Sequence, residues 1–164
     1  MLPLIALGTA APASAAETLA AVVCPPPAER AGVTKEAFAD YISAFNRKDF
    51  SEFGKYYAQD VVLELNASLE LNGRDAILGF YRQVQAHIHE TTQVHQVIAD
   101  AGGLAAELET EFLCLNDWPD FPGGPMKKGD LLRRMGFALY SVRDHKFTHI
   151  KVALFKVLYR GPAP

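Results

Sequence analysis

The chain has 164 residues and a formal net charge of −3, from 16 Lys+Arg against 19 Asp+Glu. That length suits one domain with a sizeable core, and 49 % hydrophobic with 21 % charged residues excludes wholesale disorder. No apolar run approaches the roughly 20 residues that a membrane span needs. The mild acidity argues against a nucleic-acid partner, which calls for a basic stripe; doublets such as Lys127-Lys128 and Arg133-Arg134 are too small to supply one. Two cysteines, Cys24 and Cys114, are too few for a disulfide framework or a four-thiolate zinc site.

Residues 1–33 read as a separate tail, with ten alanines, five of the ten prolines and three charges, Glu17, Glu29 and Arg30. Leu2-Pro3-Leu4-Ile5-Ala6-Leu7 followed by Ala13-Ser14-Ala15 has the apolar stretch and small-residue cleavage site of a secretory signal. No Lys or Arg stands near Met1, so the basic start of such a signal is missing. An exported, periplasmic protein and a cytoplasmic one with an Ala/Pro tail are both open, with the balance leaning to export. Val23 before Cys24 is not the small residue that a lipoprotein signal places there. Pro25-Pro26-Pro27 makes a stiff extended linker, and export would permit a Cys24–Cys114 pair.

From residue 34 to about 160 the pattern is that of one domain. Thr34 caps a helix whose Phe38, Tyr41, Ile42 and Phe45 recur at helical spacing to about Lys48. Asp49 and Glu52 form a carboxylate capping box for a second, short helix that points Phe50, Phe53 and Tyr57 one way. Val61 to Asn66 alternates as a strand, with Val61, Leu63 and Leu65 on one face and Glu64 and Asn66 on the other. Asn72-Gly73 is a turn, and a third helix runs from Arg74 to about Glu90 with Ile77, Phe80/Tyr81, Val84 and Ile88 as its buried stripe. Strands follow at Val94–Asp100, Leu104–Leu115, Leu131–Val142 and Phe147 to about Leu158. Gly102-Gly103 turns the first hairpin, and Asp144-His145-Lys146 the last, without a glycine. The order helix, helix, strand, helix and then a run of long strands implies α+β: a cone-shaped, curved antiparallel sheet with three helices on its concave face and a cavity between them.

Among polar residues, Tyr41, Tyr57 and Tyr81 fall on buried helix faces, where their hydroxyls need partners or a ligand. Glu64 reaches a cavity only if the strand register slips by one residue. Glu107, Glu109 and Glu111 read as a solvated outer face, cross-paired with Arg134 and Lys151. His87 borders the third helix's stripe and suits proton transfer near neutral pH, whereas His89 points away, so no shared metal site is expected. The segment from Asn116 to Pro125 holds Trp118 and is either a lid over the cavity or a loop pinned by Trp118 and Phe121. Phe155, Ala153 and Ala138 extend an apolar outer patch that suggests a homodimer.

The runs Tyr41-Ile42-Ser43-Ala44-Phe45-Asn46, Tyr56-Tyr57-Ala58-Gln59-Asp60-Val61-Val62, Asn72-Gly73-Arg74-Asp75-Ala76-Ile77 with Phe80-Tyr81-Arg82, and Lys146-Phe147-Thr148-His149-Ile150 resemble the nuclear transport factor 2-like superfamily, within it the SnoaL-like and ketosteroid-isomerase-like group. The likeness spans about Thr34 to Leu158. It implies the same cone, and a superfamily of isomerases, dehydratases, cyclases, epoxide hydrolases and plain binding domains. By the resemblance the oxyanion tyrosine falls on Tyr41, supported by Tyr57 and Tyr81. The isomerase base falls on apolar Leu65, and its second acid falls near Phe137 or Ala138. Of the epoxide-hydrolase pattern, Glu109 and Glu111 lie near two positions and Val152 takes the third.

The expectation is a pocket for a small apolar molecule, polycyclic, polyketide or terpenoid-like, with cofactor-free acid–base isomerisation, dehydration or cyclisation. Tyr41 would hold the oxyanion and His87 or Glu64 would carry the proton. Tyr57, Tyr81, Leu65, Asn66, Phe112, Trp118 and Ile150 would shape the ligand site, with no metal. The alternative is a non-catalytic binding or dimerisation domain without the base.

Overall fold

The computed structural model describes residues 32–66, 68–100 and 102–164. The signal-like reading and Cys24 lie outside the described residues. Helix α1 (Lys35–Asn46) starts where Thr34 Oγ1 accepts from Ala37 N–H at 3.1 Å, and it buries Phe38, Tyr41, Ile42, Ala44 and Phe45. It ends on Lys48 at φ 64°, with Lys48 N–H donating to Phe45 O and Asp49 N–H to Ala44 O. This is a left-handed cap of the kind glycine usually supplies. Asp49 Oδ1 then accepts from Glu52 N–H at 3.1 Å to open α2 (Phe50–Phe53), while Glu52 turns to Lys55. Only half of the expected capping box forms. A 3₁₀ turn, Gly54–Tyr56, leads into β1 (Tyr57–Leu65).

A short strand that the sequence pattern does not mark, β2 (Leu69–Asn72), pairs back on β1 before α3 (Arg74–His87), ending at the expected Asn72-Gly73 turn. Helix α3 stops at His87 rather than near Glu90, and β3 (Ile88–Asp100) begins at the next residue. Strands β4 (Gly103–Cys114), β5 (Asp130–Arg143) and β6 (Lys146–Pro162) complete a six-stranded sheet in the order β2-β1-β6-β5-β4-β3. The sheet is curved, unclosed and mixed, because β6 returns to lie parallel to β1 while every other pair is antiparallel. Asp100 Oδ1 accepts from Gly102 and Gly103 N–H at the first hairpin. At the last, Asp144 and His145 take φ of 52° and 58°, the twisted turn usually built on Asn-Gly.

On β5 the residues facing the concave side are Leu132, Arg134, Ala138 and Tyr140, so Ala138 is fully buried, and Phe137 and Leu139 are the exposed apolar pair. Arg133, not Arg134, meets the outer acids: it bonds Glu109 at 2.5 Å and approaches Glu111 at 3.9 Å. A one-residue slip on a strand exchanges its faces, and both misplacements come from that slip.

The core has two parts. One joins α1 and β1 to the middle of the sheet through Phe38, Tyr41, Phe45, Tyr57, Leu63, Tyr140 and Phe147. The other lies under the β4–β5 loop, where Val84 and Ile88 meet Phe112, Trp118, Phe121 and Leu132. The space between these two clusters is not filled. Among the described residues no helix is long and apolar enough to cross a membrane.

Candidate functional site

That space is a cavity between α1, α3 and the concave sheet face, about 900 Å³ with its open mouth included. Its apolar walls include Phe45, Leu65, Phe80, Val84, Phe112 and Val152. Its polar groups are few: Tyr41, Tyr81, Tyr140, Glu90, Thr92, Thr110, Arg134, Asn66 and Ser68. Small-molecule sites have this balance, apolar walls with a few convergent polar groups.

Three of the polar groups form a row across the sheet, since Thr92 pairs with Thr110 and Thr110 pairs with Arg134 in register. Glu90 sits two residues before Thr92 on the same face of β3, beside Phe112. The edge of β3 is held by the end of α1. Asn46 Nδ2 donates to Thr92 O and Thr92 N–H donates to Asn46 Oδ1, both at 2.8 Å, and Lys48 Nζ donates to Glu90 O. These contacts satisfy an otherwise open strand edge and fix the backbone from which Glu90 projects.

Burial pushes the Glu90 carboxyl up to about 7, against the attraction of Arg134 and Lys48, which lowers it. Its oxygens take no hydrogen bond from another described residue. Desolvation likewise lowers Arg134 and Lys48, with Glu90 opposing in both. A carboxyl that titrates near neutrality in a small apolar cavity suits proton transfer in either direction.

Across the cavity floor, the Tyr41 and Tyr57 hydroxyls share a hydrogen bond of 2.9 Å. Tyr41 is enclosed by aromatic rings, with Phe147 edge-on at 5.0 Å and Tyr56 at 5.5 Å. Burial raises Tyr41, Tyr57, Tyr81 and Tyr140 above the ordinary tyrosine range, so all four stay neutral and able to donate.

Of the residues singled out in the sequence, Tyr41, Tyr81, Leu65, Asn66, Phe112 and Ile150 line the cavity, and Tyr57 stands behind Tyr41. Asn66 gets there by turning left-handed at φ 52°, and its Oδ1 accepts from Leu154 N–H at 2.7 Å. Glu64 does not come to the cavity. It lies on the opposite face of β1, bonded to His149 at 2.5 Å and near Lys151 at 3.5 Å, which hold its carboxyl below the usual range. His87 also lies outside the lining. Its ring stacks on Trp118 at 5.0 Å and its Nδ1 is buried without a hydrogen-bond partner. Trp118 is buried beneath the loop, bridged to Met126, whereas Phe121, Pro122 and Gly123 form one wall of the cavity. Arg160 fastens this loop through Gly123 O at 2.8 Å and Pro125 O at 3.1 Å. The loop is therefore pinned and is also part of the pocket.

Sequence reasoning missed Glu90, Thr92, Thr110, Arg134 and Tyr140. The signal available for the first two was the alternation Ile88, Glu90, Thr92, Val94 with two β-branched threonines, a strand pattern. No group of three or more His, Cys, Asp or Glu suited to a metal occurs among the described residues.

The family model of the SnoaL-like domain matches residues 38–150. No curated protein is significantly similar in sequence. Among solved structures, a candidate polyketide cyclase from Xanthomonas campestris pv. campestris superposes with a TM-score of 0.60 at 21 % identity, covering 71 % of this chain and 85 % of that one. An LEH-like epoxide hydrolase of M. tuberculosis gives 0.59 at 15 %, covering 73 % and 80 %. A candidate ketosteroid isomerase from Kribbella flavida gives 0.53 at 19 %, covering 77 % and 80 %. At such identities the likeness establishes the fold.

Proposed function

The chain belongs to the SnoaL-like domain family, and from that premise we propose that its cavity performs cofactor-free acid–base chemistry on a small, largely apolar carbonyl compound of polycyclic, polyketide or terpenoid type. The observation that carries this reading is Glu90, a carboxyl uncommitted to another described side chain, poised near neutrality and facing an apolar cavity. Glu90 takes a proton from the carbon beside the carbonyl. Tyr41, held by Tyr57, donates a hydrogen bond to the oxygen on which charge grows. Return of the proton to another atom gives isomerisation, loss of a hydroxyl as water gives dehydration, and attack on a second carbonyl gives cyclisation. Glu90, rather than His87 or Glu64, carries the proton in this reading, because it alone of the three lines the cavity. We also propose a homodimer, on the exposed apolar face of the sheet.

The test needs no knowledge of the natural substrate. In 5-nitrobenzisoxazole, a base removes the ring C–H proton while the N–O bond opens to a nitrile and a phenolate. The protein is expected to catalyse this with a rate that rises with pH to a plateau above about 7. Glu90→Gln is expected to lower it by about a hundredfold or more, and Tyr41→Phe by a smaller factor, with folding retained. Equal rates for Glu90→Gln and the parent protein would refute proton transfer in this cavity and leave a ligand-binding domain.

A further inference from the structure

The cavity holds a cation that the proton-transfer reading does not use. Arg134 projects from β5 into the cavity with its guanidinium over the Phe112 ring, 4.5 Å from the centroid, and beside Thr110 in the strand register. It makes no hydrogen bond or ion pair with any other described residue. Its chain neighbour Arg133 shows the contrast: on the outer face it is committed to Glu109 by two hydrogen bonds, at 3.1 and 2.5 Å. A guanidinium has about five N–H donors in a planar fork, and taking it out of water without an acceptor is costly. Glu90 shares the cavity yet stands beyond ion-pair distance, so the fork is open toward the ligand space.

We infer that the ligand is a small apolar acid whose carboxylate docks on the Arg134 fork while its apolar body lies against Phe80, Val84, Phe112 and Phe121. This rests on the cavity being the working site, and it deepens that reading by naming the ligand's charged group. The geometry has a second consequence. The groups facing Glu90 are Arg134 from β5, Lys48 from the end of α1, Tyr81 from α3 and Tyr41 from α1, and only the first two are cationic. A bound carboxylate neutralises Arg134 and adds a like charge near Glu90, so binding draws a proton onto Glu90. Affinity for an anion therefore rises as pH falls toward about 7 and levels off below it.

The experiment is calorimetric titration with aromatic and alicyclic carboxylates, each paired with its neutral amide, for example 2-naphthoate against 2-naphthamide, between pH 6 and about 9, where the acids stay ionised. The expected result is that acids bind about tenfold or more tighter than their amides, and more tightly at the acid end of the range. Arg134→Gln should abolish the preference. Glu90→Gln should keep the preference and lose the pH dependence. Amides binding as well as acids, or no acid binding at millimolar concentration, would overturn the inference. A Glu90-dependent opening of 5-nitrobenzisoxazole alongside absent anion selectivity would remove this inference and leave the proton-transfer reading standing; the reverse outcome would separate them the other way.

Discussion

Glu90 is the residue on which stability and function pull apart. Its folded carboxyl titrates at about 7 against an ordinary value of 4.5. An acid whose value is raised on folding leaves the native state unpenalised below about 4.5, and the penalty grows as pH rises to about 7. The interval corresponds to at most about 3 kcal/mol at pH 8. Glu90→Gln is therefore expected to be more stable than the parent protein at pH 8 and equal to it at pH 4, in urea denaturation at both values. A penalty independent of pH would mean that Glu90 is not a buried titrating group. Sequence alone hid this residue for a plain reason. Val84 and Ile88 are four apart, so the helical stripe of α3 runs on smoothly into β3, and no glycine, proline or turn residue marks the change at His87. Tyr41 was legible because its stripe, with Phe38, Ile42 and Phe45, has one period throughout.

At the scale of elements, the site depends on the long antiparallel strands keeping their registers through several bulges. On β5 one irregularity falls between Met135 and Gly136, where β5 and β6 come close. A methyl group on Gly136 would lie 2.8 Å from Ala153 O, a backbone atom that cannot swing aside. Gly136→Ala should then lose about 1–3 kcal/mol and blur the placement of Arg134, two residues away. Gly79, on the exposed side of α3, meets nothing within 4 Å. Gly79→Ala should instead gain about 0.5–1 kcal/mol from helix propensity. Matching denaturation midpoints for the two variants would contradict the close approach on β5. The alternation on β5 was visible in the sequence, but its phase was not. Met135, Gly136, Phe137 and Ala138 read equally well with either face inward, and only the pairing with β4 and β6 decides.

At the scale of the whole molecule, the outer sheet face is the unpartnered surface. Phe137, Leu139 and Phe155 are 45 %, 55 % and 59 % exposed, and the first and last of them contact each other at 5.3 Å. Glu107 lies opposite Phe137 on β4, and Lys151 lies opposite Leu139 on β6. The proposed homodimer would bury this patch against its own counterpart about a two-fold axis. A dimer is expected in analytical ultracentrifugation, and Phe137→Asp is expected to convert it to monomer with an unchanged fold. A parent protein that is monomeric at micromolar concentration would remove this proposal.

Local information settled the things that local information can settle. Helix periodicity, N-caps and turn residues determined that two helices, a strand and a third helix precede a run of long strands, and with them the α+β class, the position of Tyr41 and the apolar lining at Leu65, Phe112 and Ile150. Tertiary structure decided which polar groups meet. Glu90, Thr92, Thr110 and Arg134 come from three strands brought together by pairing across the sheet, and the spacing of residues along a chain carries no measure of that approach. The same holds for the parallel partnership of β6 with β1 and for the loop that Arg160 fastens as a cavity wall. The period of a helix or strand follows from neighbours in sequence, but the face turned inward and the partners it meets follow from contacts closed over many residues.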